Sequence, residues 1–431
     1  MILKNGTIID PVKNMMYVGD LVVGVPQETA DSLSGGEQDV IDITGLYVAP
    51  GLVDTHVHFR DPGYTYKEDI FTGAEAAKAG GFTQVIQMAN TNPRIDTVET
   101  LKYVLDKGSE TGIGLHACAN VTMNMEGRVL TDMRALKNAG ALGFTDDGVP
   151  IMDPDVCLEA MKEVTRLDVP ISFHEENPAF ITNNGVNRGE ASEYFNIGGS
   201  SREAEIDMIR RDIELAKRAR DELIAAGEIP ADHKGPKVVI QHISTKEGVD
   251  LVRDAKKRGL DVHAEATPHH FSLTEEAVIK HGTMAKMNPP LRCEEDRIAI
   301  IEGLRDGSID MIATDHAPHA DDEKAKPITE APSGILGLET SLSLAIKELV
   351  NPGYLTYPQL LNRMSTAPCK LYCISGGTIE TLNQDLVVFD PNENRTITSF
   401  RSKSNNSPFL GESLPGVIKY TICNGRIVYR G

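Results

Sequence analysis

The 431-residue sequence predicts an α/β protein: a (β/α)8 TIM barrel with a small composite β domain built from both chain ends. The first observation is that short apolar runs alternate with helix-like stretches eight times, the count for a (β/α)8 barrel. The second is that these runs are apolar almost throughout, as expected for parallel strands buried on both faces. The third is that β-like pieces occupy both ends of the chain.

The composite β domain is predicted to comprise residues 1–49 and 376–431, and the barrel residues 50–375. Residues 1–49 contain β-like pieces separated by Gly, Pro and Asp turns, and β-like pieces return after about residue 375. Chain termini often lie close together, so pairing the two ends in one domain beside the barrel is the simplest arrangement.

Eight apolar runs are the predicted barrel strands. They are GLVDTHVHF, FTQVIQMAN, IGLHACANV, ALGFTDDG, PISFHEEN, KVVIQHIS, DVHAEATP and IDMIATDHAP. Helix-like stretches such as GAEAAKAG, DVCLEAMKEVTRL and KEGVDLVRDAKKRG lie between them. A doubly wound sheet is the competing architecture, but no glycine-rich phosphate-binding motif follows any of these runs.

The balance of charge argues against one class of partner. The chain has 43 Lys and Arg against 63 Asp and Glu, a formal net charge of −20. Because no excess of basic residues exists to neutralise phosphates, we expect neither nucleic-acid binding nor docking on an anionic membrane. A small anionic substrate is still allowed, because one arginine at contact distance outweighs a diffuse negative field.

The sequence also indicates a compartment. Its six cysteines are scattered and form no CxxC pair, which is typical of reduced thiols in a cytoplasmic protein. The N-terminal stretch lacks the long apolar core of a signal peptide, and no run of about 18 apolar residues occurs. We therefore predict a soluble, cytoplasmic protein.

Polar residues stand at the C-terminal end of seven of the eight runs. These residues are His56, His58, Asn90, Asn120, Asp146, Asp147, His174, His242 and Asp315. Enzymes with this barrel build their active sites at that end of the strands. Side chains two residues apart on a strand point the same way, so His56 and His58 can converge on one ion.

Six of these residues are candidate metal ligands, because imidazole and carboxylate groups suit zinc and similar divalent metals. They are His56, His58, Asp147, His174, His242 and Asp315. Six ligands exceed the need of one tetrahedral zinc, and carboxylates can bridge, which favours two ions that activate a shared water. A single histidine at a strand end is more often structural, but here several strand ends agree. The histidines at 116, 233, 263, 270 and 281 have no such support and are interpreted as structural.

Several segments, in this order, carry a resemblance to a known family. They are APGLVDTHVHFRDPG, HISTKEGVDLVRDAKKRG, AEATPHH, KMNPPLR, IATDHAPH, APSGILGLET and, near the end, KSNNSPFLG. Together they resemble dihydroorotases of the class I bacterial type, in the cyclic amidohydrolase branch of the amidohydrolase superfamily. The resemblance implies a metal-dependent enzyme. Its reaction is the reversible hydrolysis of L-dihydroorotate to N-carbamoyl-L-aspartate in de novo pyrimidine (UMP) biosynthesis.

The resemblance implies two zinc ions per subunit. His56, His58 and Asp315 match the ligands of one ion, and His174 and His242 those of the other. It also assigns Asp315 the catalytic proton, taken from the attacking water and passed to the departing ring nitrogen.

Strand four departs from many cyclic amidohydrolases, which bridge the metals with a carboxylated lysine there. This sequence has FTDDG and no lysine. Similar dihydroorotases use the second aspartate as a ligand, so Asp147 is the expected bridging or shared ligand and Asp146 is the alternative. Two smaller departures are HEEN in place of the common HCED, and QMANTNP in place of MPNTxP.

The resemblance further implies substrate contacts. Arg60, Asn90 and Asn288 match residues that recognise the substrate carboxylate, and His319 and the backbone of Pro332, Ser333 and Gly334 match ring contacts. The planar fork of Arg60 can pair bidentately with a carboxylate. The alternative for Arg60 is an ion pair at the barrel rim with Asp61 or Glu68. The charged, proline-containing segment 321–334 is predicted to be a mobile loop that closes over the substrate.

Two other functions compete with dihydroorotase. Allantoinases and hydantoinases open related cyclic ureides, but they usually carry the lysine that FTDDG lacks. A catalytically silent homologue that assembles with aspartate carbamoyltransferase is the second rival, but silent homologues lose ligands and all six are present here. For partners we expect a small-molecule substrate, a homodimer and a possible association with aspartate carbamoyltransferase.

Overall fold

The structure is a computed structural model that describes residues 1–24, 40–380 and 385–431. It contains an eight-stranded parallel sheet that forms a barrel, and a seven-stranded sheet built from both parts of the chain that flank the barrel. The predicted fold class is confirmed. The domain boundaries at residues 49/50 and 375/376 stay a prediction, and 25–39 and 381–384 of the predicted β domain lie outside the described residues.

Fifteen strands are described. In chain order they are β1 (Ile2–Asp10), β2 (Met15–Val22), β3 (Val40–Asp42), β4 (Tyr47–Pro50), β5 (Leu52–Val57), β6 (Phe82–Gln87), β7 (Gly114–Ala119), β8 (Gly143–Thr145), β9 (Ile171–Phe173), β10 (Val238–Ile240), β11 (Val262–Ala266), β12 (Met311–Ile312), β13 (Leu386–Thr396), β14 (Ser413–Cys423) and β15 (Arg426–Arg430). Each predicted barrel run contains one of β5 to β12.

The described α-helices lie mostly between the barrel strands. They are α1 (Ile70–Ala79), α2 (Val98–Ser109), α3 (Met133–Asn138), α4 (Pro154–Leu167), α5 (Glu190–Tyr194), α6 (Glu203–Ala225), α7 (Lys246–Lys257), α8 (Pro268–Ser272), α9 (Glu276–His281), α10 (Glu294–Asp306), α11 (Asp321–Lys324), α12 (Ser341–Ala345), α13 (Tyr357–Leu361) and α14 (Ala367–Tyr372). None of the helices described is long and apolar enough to cross a membrane.

Helix α4 shows why these segments fold as they do. Asp153 caps its first turn by accepting hydrogen bonds from two backbone amides, and Pro154 occupies the first turn, where its missing N–H costs nothing. Cys157, Met161 and Val164 recur at a helical spacing and are fully buried. Burying an apolar side chain of this size stabilises the fold by roughly 1.5–3 kcal/mol. The helix therefore lies with one apolar face against the barrel.

The seven-stranded sheet joins the two ends of the chain. Its order is β15-β14-β13-β4-β1-β2, with β3 also paired to β1. The pairing of β4 with β13 is antiparallel and places Val48 opposite Val388. Both side chains are fully buried in a small core with Leu3 and Ile422. This sheet leads the chain into and out of the barrel.

The first and last barrel strands meet at the C-terminal end of the barrel. Val57 forms a parallel bridge with His316, and the His58 amide donates to the His316 carbonyl at 2.9 Å. The fully buried Asp54 accepts from the Thr314 amide at 3.0 Å and from its hydroxyl at 2.6 Å. These bonds hold the ends of β5 and β12 together, where the predicted ligands of both strands lie.

The segment 321–334, predicted to be a mobile loop, begins with helix α11. Glu323 accepts from the Ala320 amide and so caps this helix. The buried ammonium of Lys324 donates to the carbonyls of Pro332 at 2.9 Å and Gly334 at 3.1 Å. Lys324 therefore ties the beginning of the segment to its end. The closure of the segment over substrate stays a prediction.

Candidate active site

The six candidate metal ligands converge at the C-terminal end of the barrel, each on or just after a strand. His56 belongs to β5 and His58 directly follows it, Asp147 follows β8, His174 follows β9, His242 follows β10 and Asp315 follows β12. All six are buried. The residues that the sequence predicts at the ends of separate strands therefore lie together in the structure.

Asp147 lies between two groups of histidines. Its Oδ1 is 3.6 Å from His56 Nε2, 3.7 Å from His174 Nδ1 and 3.9 Å from His242 Nε2. Its Oδ2 is 3.4 Å from His58 Nε2. Two sets with metal-binding geometry result: His56, His58 and Asp147, and Asp147, His174 and His242. The carboxylate common to both sets is in the position of a shared ligand.

Asp315 completes the first of these groups. Its Oδ1 is 2.9 Å from His58 Nε2 and 3.5 Å from His56 Nε2. Burial alone raises the pKa of this carboxyl, but the hydrogen bond from His58 and the positive charge of the neighbouring histidines outweigh it. The pKa of Asp315 therefore lies well below its usual range. The pKa of Asp147 is lowered too, against the effect of burial, chiefly by His56. Both carboxylates are ionised at neutral pH.

The side chains fit a divalent cation. The outward Nδ1 of His56 is 2.6 Å from Glu265 Oε1, and that of His58 is 2.9 Å from Asn90 Oδ1. In the tautomer with its proton on Nδ1, each ring makes this bond and leaves its Nε2 lone pair for a cation. His56 Nε2 is buried and has no hydrogen-bond partner among the described residues. Inward imidazole nitrogens facing two ionised carboxylates are the donor set that zinc and similar metals take.

Asp146, the alternative to Asp147, is engaged elsewhere. Its carboxylate accepts from the amides of Val121 at 2.9 Å and Thr122 at 3.2 Å, from the Asn120 side chain at 3.3 Å and from the Thr122 hydroxyl. These bonds fix the loop after β7. The same contact takes Asn120 away from the site.

A cavity of about 250 Å³ opens above the candidate ligands. Six of the seven predicted substrate residues line it: Arg60, Asn90, Asn288, His319, Ser333 and Gly334. The seventh, Pro332, is held behind it through the bond from its carbonyl to Lys324. The volume suits a small molecule.

Arg60 points its charge at this cavity without a paired carboxylate among the described residues. Its Nε donates to the Pro318 carbonyl at 3.2 Å. Asp61 instead pairs with Lys107 at 2.9 Å. Glu68 accepts from the Lys403 amide at 3.1 Å. The two carboxylates considered as rim partners for Arg60 are therefore used elsewhere, and its guanidinium is left for an anion.

The two predicted asparagines contact the histidines directly. Asn90 bridges the site, because its Oδ1 accepts from His58 and its Nδ2 donates to Asp147 Oδ2 at 3.1 Å. Asn288 Nδ2 lies 3.2 Å from His174 Nε2. Both amides thus lie where a substrate would meet the candidate ligands.

His319 is neutral in this setting. Burial, together with the nearby charges of Arg60 and Lys67, holds its pKa far below the usual range. Its Nε2 donates to the Ser333 carbonyl at 2.8 Å, and its Nδ1 lies 3.4 Å from Lys67 Nζ. This bond joins the two predicted ring-contacting stretches.

Three site residues have an unusual backbone. Arg60, His242 and Asp315 have φ angles of 60°, 32° and 49°, in the left-handed region that non-glycine residues rarely adopt. Such strain persists only where the surrounding structure enforces it, and it concentrates at functional sites.

Two carboxylates escaped the sequence analysis. Glu265 orients His56, and Glu176 Oε2 lies 3.0 Å from His174 Nε2. The signal for Glu265 was available: it is an acidic residue inside the otherwise apolar run DVHAEATP. Glu176 stands at the position where HEEN agrees with HCED, and no role was predicted for it. Asn184 and Gly148 also line the cavity, and no pattern in the sequence marked them.

Comparison with known proteins decides the family. Residues 45–225 match the family described as Dihydro-orotase-like. A dihydroorotase of Clostridioides difficile (strain 630) is 49% identical over 433 residues, covering 100% of this chain and 99% of the relative. The chain belongs to the dihydroorotase family. A dihydroorotase of Clostridium acetobutylicum is 46% identical over 438 residues, again covering 100% of this chain and 99% of the relative.

A solved structure supports the architecture of this dihydroorotase-family chain. The L-hydantoinase (dihydropyrimidinase) from Arthrobacter aurescens superimposes with a TM-score of 0.84 at 26% identity, covering 100% of this chain and 96% of the other. The family and this neighbour agree on a metal-dependent cyclic amidohydrolase. The predicted family and enzyme class are therefore confirmed.

Proposed function

We propose that the protein is a dihydroorotase that reversibly hydrolyses L-dihydroorotate to N-carbamoyl-L-aspartate in de novo pyrimidine biosynthesis, with two zinc ions per subunit. Family membership supports the reaction. The observation that carries the site is the position of Asp147, whose carboxylate belongs to both histidine sets.

Each ion has its own histidines in this proposal. His56, His58 and Asp315 would hold one ion, His174 and His242 would hold the other, and Asp147 would contribute to both. When bound, such ions lower the pKa of a water to about 7 and polarise the carbonyl under attack. Asp147 takes the place that a carboxylated lysine fills in many relatives of the superfamily, so no modified lysine is needed.

Asp315 moves the proton. Its depressed pKa keeps it ionised as a base, and its Oδ1, beside His58, faces the cavity where the attacking water and the ring meet. It takes the proton of the water in hydrolysis and delivers it to the departing ring nitrogen. A base of this kind contributes typically about a hundredfold or more to the rate.

The remaining residues bind and orient the substrate. Arg60 presents a planar fork to the substrate carboxylate, with Asn90 and Asn288 beside it. His319, as a neutral imidazole, and the backbone of 332–334 contact the ring.

The wider biology of the chain belongs to the same proposal. We assign residues 50–375 to the catalytic barrel and 1–49 with 376–431 to the composite β domain. All six cysteines are free, which supports a reducing compartment such as the cytoplasm. A homodimer and an association with aspartate carbamoyltransferase are tested by native mass spectrometry of the protein alone and mixed with that enzyme.

One assay tests the function. Ring opening of dihydroorotate, hydantoin and allantoin is measured before chelation, after chelation and after zinc is restored. We expect turnover of dihydroorotate above the other two, loss on chelation and recovery with zinc. Preferential opening of hydantoin or allantoin would establish the rival ureide hydrolase, and a zinc-loaded protein inactive on all three would be the silent homologue.

A further inference from the structure

The segment 402–406, SKSNN, lies against the two loops that carry the predicted substrate contacts. It comes from the motif KSNNSPFLG, which the resemblance singled out and to which the proposed mechanism gives no role. None of its side chains lines the cavity above the candidate ligands. Its hydrogen bonds nevertheless reach both loops.

The first half of the segment fixes the loop after β5, which contains Arg60. Glu68, fully buried in this loop, accepts from the Ser402 hydroxyl and from the Lys403 amide at 3.1 Å. The Ser404 hydroxyl donates to the Lys67 carbonyl at 2.7 Å. The segment is therefore tied to the barrel at several points.

Asn406 fixes the residues after β12. Its Oδ1 accepts from the His319 amide at 3.0 Å, and its Nδ2 donates to the carbonyls of Ala317 and Gly334, each at 3.0 Å. Its own carbonyl accepts from the Leu336 amide at 3.0 Å. Asn406 is fully buried, and both N–H groups and the oxygen of its side-chain amide are used.

The two stretches that Asn406 joins are close-packed. Gly334 has a φ of 121°, and a β-carbon built there would lie 2.6 Å from the β-carbon of Ala317 and 3.3 Å from His319 Nε2. The stretches 317–319 and 333–334 therefore pack too closely for a side chain at position 334. Asn406 is bonded to both stretches, next to the bond from the Ala317 amide to the Ile335 carbonyl at 2.8 Å.

We propose that Asn406 is a positioning residue that holds His319 and Gly334 at the spacing that the dihydroorotate ring requires. This rests on the proposed function. Asn406→Ala leaves the His319 amide and the Ala317 carbonyl buried without a partner, while the Gly334 carbonyl keeps only its bond from Lys324. Asn406→Asp keeps the acceptor for the His319 amide but sets a carboxylate oxygen against two carbonyl oxygens. Neither change touches a candidate metal ligand.

The test compares the purified, zinc-loaded full-length protein with Asn406→Asp, Asn406→Ala and Asn405→Ala. Asn405 is the matched control, because it is the exposed asparagine next to Asn406. We measure kcat and KM for dihydroorotate, zinc per chain, and binding of N-carbamoyl-L-aspartate by calorimetry. We expect KM and the product dissociation constant to rise about tenfold or more in both Asn406 variants. The kcat should change less than about threefold, zinc should be retained, and Asn405→Ala should behave as wild type.

A merely structural role would give a different pattern: fewer active molecules, seen as a lower kcat at unchanged KM, or lost zinc. Either result overturns the proposal, as does an equal effect of Asn405→Ala. If Asn406→Asp does not fold, Asn406→Ser carries the same expectation with a smaller rise in KM. A wild-type protein inactive on dihydroorotate refutes the proposed function as well, whereas an active wild type with unchanged Asn406 variants refutes only the role of Asn406.

Discussion

The two ends of the barrel both gather histidine and aspartate, but they differ in how completely these side chains pair with one another. At the N-terminal end, His263 Nε2 is 3.1 Å from Asp261 and its Nδ1 is 3.2 Å from Asp310. Lys256 adds a 2.6 Å ion pair to Asp310. A cavity of about 370 Å³ opens there, larger than the one at the catalytic end. Its central imidazole and carboxylates nevertheless satisfy one another.

At the C-terminal end the same residue types are arranged to bind a cation. His56 Nε2 has no partner among the described residues, and Asp147 stands between two histidine sets. The difference teaches that neither the size of a cavity nor its residue types identifies the site. What identifies it is buried polar atoms that face one another without forming complete pairs.

The largest expected effect is on kcat, and it comes from comparing one aspartate at each end of the barrel. Asp315→Asn keeps the shape of the side chain but removes the base, so kcat should fall at least about a hundredfold in both directions of the reaction. Asp310→Asn, at the paired end, should leave kcat within about threefold of wild type. Steady-state rates and zinc content are measured together. A zinc-retaining Asp315→Asn variant within tenfold of wild type would move the proton role to another residue, with His319 next.

A second comparison lies within the catalytic end, between neighbouring aspartates. Asp147→Asn should lower zinc affinity about tenfold to a hundredfold or more, because it weakens the shared ligand. Asp146→Asn should keep its zinc but lose about 1–3 kcal/mol of stability, because it weakens four hydrogen bonds in a buried loop. Zinc titration and thermal melts distinguish the two. The opposite ranking in zinc affinity would show that Asp146 is the ligand.

Arg60→Lys tests whether Arg60 binds the substrate carboxylate in the cavity. A point charge replaces a bidentate fork, so KM for dihydroorotate should rise about tenfold while kcat changes less. A ring analogue without the carboxylate is the control substrate, and on it the variant and wild type should look alike. Equal losses on both substrates would mean that Arg60 supports the fold through Pro318 and not the substrate.

At the N-terminal end of the barrel, the charge of His263 should make the stability of the protein depend on pH. Burial opposes protonation of His263, but Asp261 and Asp310 outweigh it and raise its pKa to about 9. Because the folded state holds this proton more tightly than the unfolded state, the stability it adds is present below about pH 6.5 and lost as pH rises to about 9. It is worth at most about 3 kcal/mol. The melting temperature of His263→Gln should therefore lie below wild type at pH 6, with the gap closing above pH 9. A constant gap would mean that His263 is not charged.

Much of this architecture is visible in the sequence. The eight apolar runs each yield a barrel strand, and polar residues at their C-terminal ends converge because parallel strands share one edge. What the sequence hides depends on contacts between distant segments. Glu265 meets His56 across 209 residues, and Asn406 meets His319 across 87. Lys324 is buried and bonds to Pro332 and Gly334, eight and ten residues further along the chain. Such contacts are known only from the folded structure, because no spacing of nearby residues in the sequence predicts them.

The most direct test is zinc per chain in wild type, His56→Ala and His263→Ala, measured alongside dihydroorotate turnover. Each variant removes a buried or partly buried imidazole from a histidine–aspartate group at one end of the barrel. Comparing the two variants therefore shows which end binds zinc. We expect between one and two zinc ions in wild type and in His263→Ala, with activity in both, and a loss of zinc and activity in His56→Ala. Full activity in metal-free wild type, or undiminished zinc in His56→Ala, would contradict the account.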